Sequence, residues 1–303
     1  MKNRKNINQH HVQHFFILFI FALFAAAFFY KPEIKETRVV DSEIRRLFPK
    51  VELTGKSAYV ADIKTGEVFY KKNEDKSLPI ASIVKIMTSV VALEVFNKDE
   101  VIKIPERGLD AEGESGLKVG EEWRLGDLVS YMMMVSSNDA AYSLMLLANE
   151  KLAPETLVKS MNKKTRELGM ENSYYYNTSG LDREEFVGGY STARDVATVS
   201  VYAYQTYPEI FSITSKYEWQ VTSQSGVLHD AQNTDDLTKE RNDIVFSKTG
   251  FTDNDGGSLV IINDDKVHDP FVVVVLDSTL EGRFDDVSNL IQKTKEYLGE
   301  VSK

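Results

Sequence analysis

The sequence predicts a mixed α/β domain whose sheet is assembled from the two ends of the chain. Near the start, Ser57 to Asp62 and Glu67 to Tyr70 gather Val, Tyr and Phe around Ile63-Lys64-Thr65-Gly66, the pattern of a two-strand hairpin with glycine at its turn. Strand-like stretches return only late, at Glu218 to Thr222, Ile244 to Lys248, Leu259 to Ile262 and Phe271 to Leu276, the last a near-continuous valine run suited to a central strand. Between the two groups the periodicity is helical, which argues for one domain rather than two.

Taken in order, residues 1–14 form a tail carrying Lys2, Arg4 and Lys5 with no acids, and residues 15–30 are uninterrupted apolar or aromatic. Sixteen such residues are short for a membrane span of about 20, although tilt and flanking residues make up the difference. The basic tail should remain in the cytoplasm. An uncleaved anchor is favoured over a secretory signal peptide, because the Ala25-Ala26-Ala27 site runs straight into Phe28-Phe29-Tyr30. The lipid bilayer is thus an expected partner through residues 15–30, with the remaining chain on the outer side of a bacterial cell membrane, or secreted if the segment is removed. Residues 31–52 mix charges with Pro32 and Pro49 and read as a linker with a short helix around Glu43 to Leu47. A single folded domain is expected over 53–303.

Within that domain, Pro79-Ile80-Ala81-Ser82-Ile83-Val84-Lys85-Ile86-Met87-Thr88 opens a helix to about Phe96. Val101 to Gly120 is glycine- and acid-rich, as a loop region would be. Helices are expected at Arg124 to Ser136, Asp139 to Leu147, Thr156 to Leu168 and Thr192 to Tyr204, with an irregular run from Asn172 to Tyr190 and an amphipathic closing helix from Val287 to Leu298. Asp253-Asn254-Asp255-Gly256-Gly257 has the composition of a hairpin turn; as a calcium loop its spacing is wrong.

With 303 residues and 42% hydrophobic content the chain can bury a substantial core. A formal charge of -10, from 46 acids and 36 bases, leaves no basic patch of the kind a nucleic acid requires, so none is expected as a partner. Cysteine is absent, which excludes disulfides, thiolate metal sites and a cysteine nucleophile. Three of the five histidines lie in the tail and no metal-binding pair occurs, so no metal or cofactor is expected. Gly55-Lys56-Ser57 resembles the end of a phosphate loop, but Lys50 stands where the first glycine belongs and a strand follows.

The chemistry concentrates at Ser82 and Lys85, three residues apart and therefore on one helical face. Serine is a poor nucleophile until a neighbour takes its proton, and a buried lysine can be that neighbour. Chance produces a Ser-x-x-Lys about once in a few hundred residues, and Ser160-Met161-Asn162-Lys163 is a second copy. Context separates them. Ser136 and Asn138 supply a hydroxyl and an amide at a helix-helix junction. Lys248-Thr249-Gly250 supplies an ammonium and a hydroxyl at the end of a strand, with a glycine that lets a ligand approach the backbone.

Ser82-Ile83-Val84-Lys85, Ser136-Ser137-Asn138 and Lys248-Thr249-Gly250, in this order, resemble the three signature motifs of the penicillin-binding proteins and serine beta-lactamases. The flanking text is similar to the D-alanyl-D-alanine carboxypeptidase family in Pro79 to Ser82, Gly116 to Trp123, Ser137 to Ala141, Asn177 to Asp182, Tyr190 to Asp195 and Lys248 to Thr252. Motif order rejects Ser160/Lys163 and also Lys64-Thr65-Gly66, which precedes the nucleophile. Ser137 departs from the glycine common at that position, and the C-terminal beta domain that many members of the family carry is not expected within the 303 residues.

The resemblance implies a beta-lactamase/transpeptidase-like fold, an antiparallel sheet flanked by helices with an all-helical half, and a site between the halves. It implies acyl transfer on Ser82, with Lys85 as base, Ser136 as proton relay and Asn138 orienting the lysine or the substrate amide. The N–H groups of Ser82 and Phe251 form the oxyanion hole in this scheme. Lys248 and Thr249, beside Gly250, face the substrate carboxylate. Arg283 is a further carboxylate partner or an ordinary surface arginine. The implied partners are a peptidoglycan stem peptide ending in D-Ala-D-Ala and beta-lactam antibiotics as covalent inhibitors. An endopeptidase or transpeptidase would use the same groups. A class A beta-lactamase would need a Glu-x-x-Leu-Asn motif, which does not occur between Ser136 and Lys248. A domain that only binds the cell wall would leave the complete motif set without a use.

Overall fold

The computed structural model describes residues 47–113, 115–152, 156–182 and 187–301. The tail, the apolar segment 15–30, the linker up to residue 46 and, apart from Leu47, the short helix expected from Glu43 lie outside the described residues. Among the described residues no helix is long and apolar enough to cross a membrane. The compact unit begins at Leu47. Phe48, Val51 and Leu53 already pack on a hydrophobic cluster of the domain, with the Phe48 ring 5.1 Å from that of Tyr70.

In chain order the strands are β1 (Ser57–Asp62), β2 (Val68–Lys72), β3 (Leu78–Pro79), β4 (Val101–Lys103), β5 (Glu122–Arg124), β6 (Tyr174–Tyr175), β7 (Gly189–Ser191), β8 (Glu218–Thr222), β9 (Leu228–Gln232), β10 (Ile244–Thr252), β11 (Gly256–Asn263) and β12 (Phe271–Ser278). The helices are α1 (Val84–Val95), α2 (Leu125–Val135), α3 (Asn138–Lys151), α4 (Thr156–Glu167), α5 (Ala193–Thr206), the single turn α6 (Pro208–Phe211) and α7 (Gly282–Val301).

The main sheet has the order β10-β11-β12-β1-β2 with every pairing antiparallel, so both ends of the chain do build it. The valine run explains its own place. Strand side chains alternate between faces: Val272, Val274 and Leu276 enter the larger core beneath α1 and α5, while Phe271, Val273 and Val275 enter a second core beneath α7. The same split recurs at Val260 and Ile262 against Leu259 and Ile261 in β11. A strand covered on both faces has no reason to alternate polar with apolar residues. On α7, Val287, Leu290, Ile291 and Thr294 are buried at helical spacing, which seats one stripe of an otherwise polar helix on the sheet.

Two strand expectations change. Glu218–Thr222 is outside the main sheet and pairs instead with β9 in a separate hairpin, whose Trp219 and Val221 pack on the larger core while Glu218, Gln220 and Thr222 stay exposed. The strand that opens at Ile244 continues past Lys248 to Thr252, since Thr249 to Thr252 keep their register with Leu259 to Gly256. Asp253 to Gly257 turns this hairpin, and Lys64-Thr65-Gly66 turns the first one, where Gly66 has φ of 76°. The interval from Val101 to Gly120 contains β4 and a 3-10 turn over Glu106–Leu109 as well as loop.

The α7 stripe yields a test of the smaller core. Leu290→Ala should lower unfolding free energy by about 2–5 kcal/mol, the usual cost of a buried leucine truncation, whereas Lys293→Ala on the exposed side should stay within about 0.5 kcal/mol. Equilibrium urea unfolding checks both.

Candidate active site

The segment that carries Ser82 is a short strand, a tight turn and then a helix, where a continuous helix from Pro79 was expected. Pro79 pairs with Tyr190 in β3, and Ala81 takes φ of 46°, so only a 3-10 turn over Ala81–Ile83 precedes α1. Ser82 sits in that turn and Lys85 in the first turn of α1, still one turn apart on one face. Lys85 Nζ lies 2.8 Å from Ser82 Oγ, 2.7 Å from Asn138 Oδ1 and 2.5 Å from the Ser179 carbonyl oxygen. Its side chain is fully buried. That burial, with the nearby Lys248 charge acting in the same direction, holds the Lys85 amine well below the ordinary lysine range.

The second motif lies where α2 stops and α3 starts. Ser136 ends α2 in the left-handed conformation with φ of 59°. Ser137 caps α3, its Oγ accepting from the Ala140 N–H at 3.0 Å, which gives the serine at this usually glycine position a structural use. Asn138 follows with its amide pinned at both ends: Oδ1 accepts from Lys85, and Nδ2 donates to the Glu112 carbonyl at 2.7 Å. Ser136, expected near both lysines, accepts from Lys248 Nζ at 2.9 Å, while Lys85 reaches Asn138 two residues further on.

The third motif lies on β10, an edge strand. Lys248 is buried, donates also to the Thr249 carbonyl at 2.8 Å, and is pushed down to about 7. Burial is the main cause, Arg283 adds to it, and Asp235 opposes it. The Thr249 hydroxyl is 2.6 Å from that of Thr234. Ser247 N–H donates to Thr214 Oγ1 across the open edge of β10, so by strand alternation the N–H groups of Thr249 and Phe251 face that same edge. Phe251 is 40% exposed.

Two expectations are corrected here. Gly250 does not leave room for a ligand: a Cβ at this position would lie 2.9 Å from the Ile80 carbonyl oxygen and 3.1 Å from the Ile83 side chain, so the missing side chain admits the Ser82 segment instead. Arg283 is no surface arginine. It is 7% exposed, donates to the Gly250 carbonyl at 2.9 Å, and keeps a buried Nε without a partner.

The structure also brings in residues that no motif marks. The Ser179 carbonyl is a backbone group whose use no side chain advertises, although Asn177 to Asp182 stood out as a stretch. Thr234, Asp235 and Asp255 lie next to the motifs in space, and no spacing rule marks them. The duplicates stay apart: Lys163 pairs with Glu167 on exposed α4, and Lys64 pairs with Asp269 beside the first hairpin turn.

A hydroxyl beside a dry, proton-poor amine, with an amide, a second hydroxyl and two buried cations around it, can attack a carbonyl and hold a carboxylate near the point of attack. Together with the helix-covered antiparallel sheet, these groups define a serine enzyme of the penicillin-binding-protein class. Within that class, the chain belongs to the D-alanyl-D-alanine carboxypeptidase family, whose model matches residues 45–279. It is 34% identical to a D-alanyl-D-alanine endopeptidase of Pseudomonas aeruginosa over 75% of this chain and 72% of that one. It is 30% identical to the D-alanyl-D-alanine carboxypeptidase DacF of Bacillus subtilis over 65% of this chain, and the match spans about half (51%) of that relative's length. Penicillin-binding protein D2 of Listeria monocytogenes, solved with ampicillin bound, superposes with a TM-score of 0.69 at 30% identity, over 81% of this chain and 98% of that one.

Gly180 presses on the same turn. A Cβ there would lie 2.0 Å from the Ala81 carbonyl oxygen and 3.0 Å from the Ser82 nitrogen, and the residue has φ of 83°. Gly180→Ala should therefore displace Ser82 and slow acylation by a fluorescent penicillin about 100-fold, read as the rate of label incorporation in protein that remains folded by circular dichroism.

Proposed function

We propose that the chain is a serine-type D-alanyl-D-alanine carboxypeptidase that removes the terminal D-alanine from peptidoglycan stem peptides through an acyl-enzyme on Ser82. The observation that carries this reading is the 2.8 Å contact of Ser82 Oγ with the fully buried Lys85 amine, whose pKa burial holds well below the ordinary lysine range. Lys85 takes the hydroxyl proton as Ser82 Oγ bonds to the carbonyl carbon of the penultimate D-alanine. The oxyanion is held by the N–H groups of Ser82, at the start of a helix, and of Phe251 on the open edge of β10. Ser136, oriented by Lys248, passes a proton to the leaving amine and regains one from Lys85. Water then attacks the ester carbonyl with Lys85 as the base, and the proton it takes passes to Ser82 Oγ as the acyl C–O bond breaks and the shortened peptide leaves. Lys248, Thr249 and Arg283 hold the terminal carboxylate. A beta-lactam presents a carbonyl and a carboxylate at a comparable spacing and acylates the same serine.

A second reading is supported by the endopeptidase name of the 34% identical relative. In it, the same groups cut peptide cross-links, with a longer amine as the leaving group. The apolar run 15–30 behind a basic tail supports an anchor that keeps the domain on the outer face of the membrane. The mass of membrane-extracted protein tests this, and loss of residues before about Lys31 would refute it.

D-alanine release from a pentapeptide and hydrolysis of a cross-linked dimer, assayed side by side, separate the two activities. Ser82→Ala should abolish both and remove penicillin labelling; label that persists in this variant would sink the assignment.

The two lysines set opposite limbs of the pH profile. Lys85 must be neutral to accept a proton, so acylation rises with pH through its depressed pKa. Lys248 must be charged to hold a carboxylate, so in the free enzyme substrate capture falls as pH rises through about 7. Lys248→Arg, which stays charged, should flatten the alkaline limb of kcat/KM while leaving the acid limb in place.

A further inference from the structure

Immediately before Ser82, the Ala81 backbone occupies the left-handed region, an unusual place for a residue with a Cβ. Such a conformation persists only where the surroundings over-determine it. On the carbonyl side, Gly180 packs so closely against Ala81 that no side chain fits between them, and Gly250 closes against Ile80 and Ala81 from β10. On the amide side a single group does the holding: Ala81 N–H donates to Asp255 Oδ2 at 2.8 Å, across 174 positions of sequence.

Asp255 belongs to the turn between β10 and β11, four residues after Phe251. It is 1% exposed. Its own N–H donates to Thr252 Oγ1 at 3.1 Å, which fixes the turn, and its Oδ1 is buried without a partner. The charged groups that face it are both acids. Asp182, on the segment after Gly180, accepts from Thr252 Oγ1 and Asn254 Nδ2 at 2.9 Å, and Asp277, at the end of β12, pairs with Lys56 at 2.8 Å. Burial first, then the Asp182 charge, raise the Asp255 carboxyl to about 6, so at neutral pH it is an ionised acceptor. A buried carboxylate with no cation of its own is an expensive way to brace a hairpin. Its one long-range use is the peptide before the nucleophile.

We propose that Asp255 is a positioning residue for acylation: by tethering the N–H of the Ile80–Ala81 peptide it holds the left-handed φ of Ala81, and with it the orientation of the next peptide, which bears the Ser82 N–H, relative to the Phe251 N–H. Without the acceptor, the Ala81 N–H is left unpaired in a buried site, and rotating the Ile80–Ala81 peptide to relieve it changes φ of Ala81, which turns the following peptide and its Ser82 N–H. Phe251 and Asp255 share one hairpin, so the tether references the helix side of the oxyanion hole directly to the strand side. This inference rests on the reading of Ser82 as nucleophile and of those two N–H groups as the oxyanion hole.

The test uses the full chain in detergent and measures acylation by a fluorescent penicillin, with kcat and KM for D-alanine release from a pentapeptide. Asp255→Asn keeps an oxygen acceptor of the same reach and should acylate within about threefold of wild type. Asp255→Ala should lose about 100-fold in acylation and kcat while KM moves less than about threefold, the split expected when transition-state support is lost and ground-state binding is kept. Asp255→Ser, polar but too short to reach Ala81, should behave like alanine and serves if the alanine variant does not fold. A folded alanine or serine variant that acylates at the wild-type rate, alongside a silent Ser82→Ala, overturns the positioning role and leaves the nucleophile standing. Label retained by Ser82→Ala overturns both. An asparagine variant as slow as alanine also overturns the tether, since the acceptor is then not what matters.

Discussion

A lysine amine fully buried in the protein is the constraint on which the site depends. An ammonium at Lys85 would fill its three N–H positions with Ser82 Oγ, Asn138 Oδ1 and the Ser179 carbonyl. The carbonyl and the amide oxygen can only accept; the serine can reverse. When burial and the neighbouring Lys248 charge remove the proton, Nζ keeps two donors for the fixed acceptors and turns its lone pair toward the one partner able to donate. The two acceptors thus select which hydrogen bond inverts, and the nucleophile is aimed before substrate arrives. The burial itself comes from the fold, because α1 runs through the larger core with every residue from Val84 to Leu93 buried.

The remaining groups stand on elements that cannot easily drift. Ser136 and Asn138 are set by the junction of α2 and α3, where a left-handed residue and a serine cap leave little freedom. Lys248 and Phe251 are set by a strand paired without a break from Phe246 to Thr252. Glycines at 180 and 250 allow the Ser82 turn to lie against both sides at backbone contact distance. Around Lys248 the electrostatics are deliberately unfinished. Arg283 repels it, and Asp235, fully buried and itself raised to about 6 by burial, compensates only in part. An incoming carboxylate completes the balance, which matches the substrate ends proposed for this site.

Much of this was legible in the sequence, for physical reasons that differ by region. The valines of β12 and the hairpin around Gly66 announce themselves because burial on two faces and a left-handed turn each demand particular residues. Ser82, Lys85, Ser136, Asn138 and Lys248 were readable because their functional groups suit acyl transfer and their order along the chain resembles the three motifs of the family. What escaped was tertiary. Glu218 to Thr222 has strand composition, and composition does not say which sheet a strand joins. Gly250 looked like room for a ligand when the room is filled by the protein. Arg283 looked half like surface because charge alone does not reveal a burial that α7 and β10 impose together. Ser179 acts through a carbonyl that every residue possesses.

The account stands or falls on the protonation state of Lys85. With lysines labelled at Cε, the Lys85 resonance, assigned by its loss in a Lys85→Arg variant, can be followed in the full chain from pH 5 to pH 11. The expected result is a change to the shift of a neutral amine at a pH well below the range in which exposed lysines titrate. A Lys85 signal that remains that of an ammonium beyond pH 10 would contradict it.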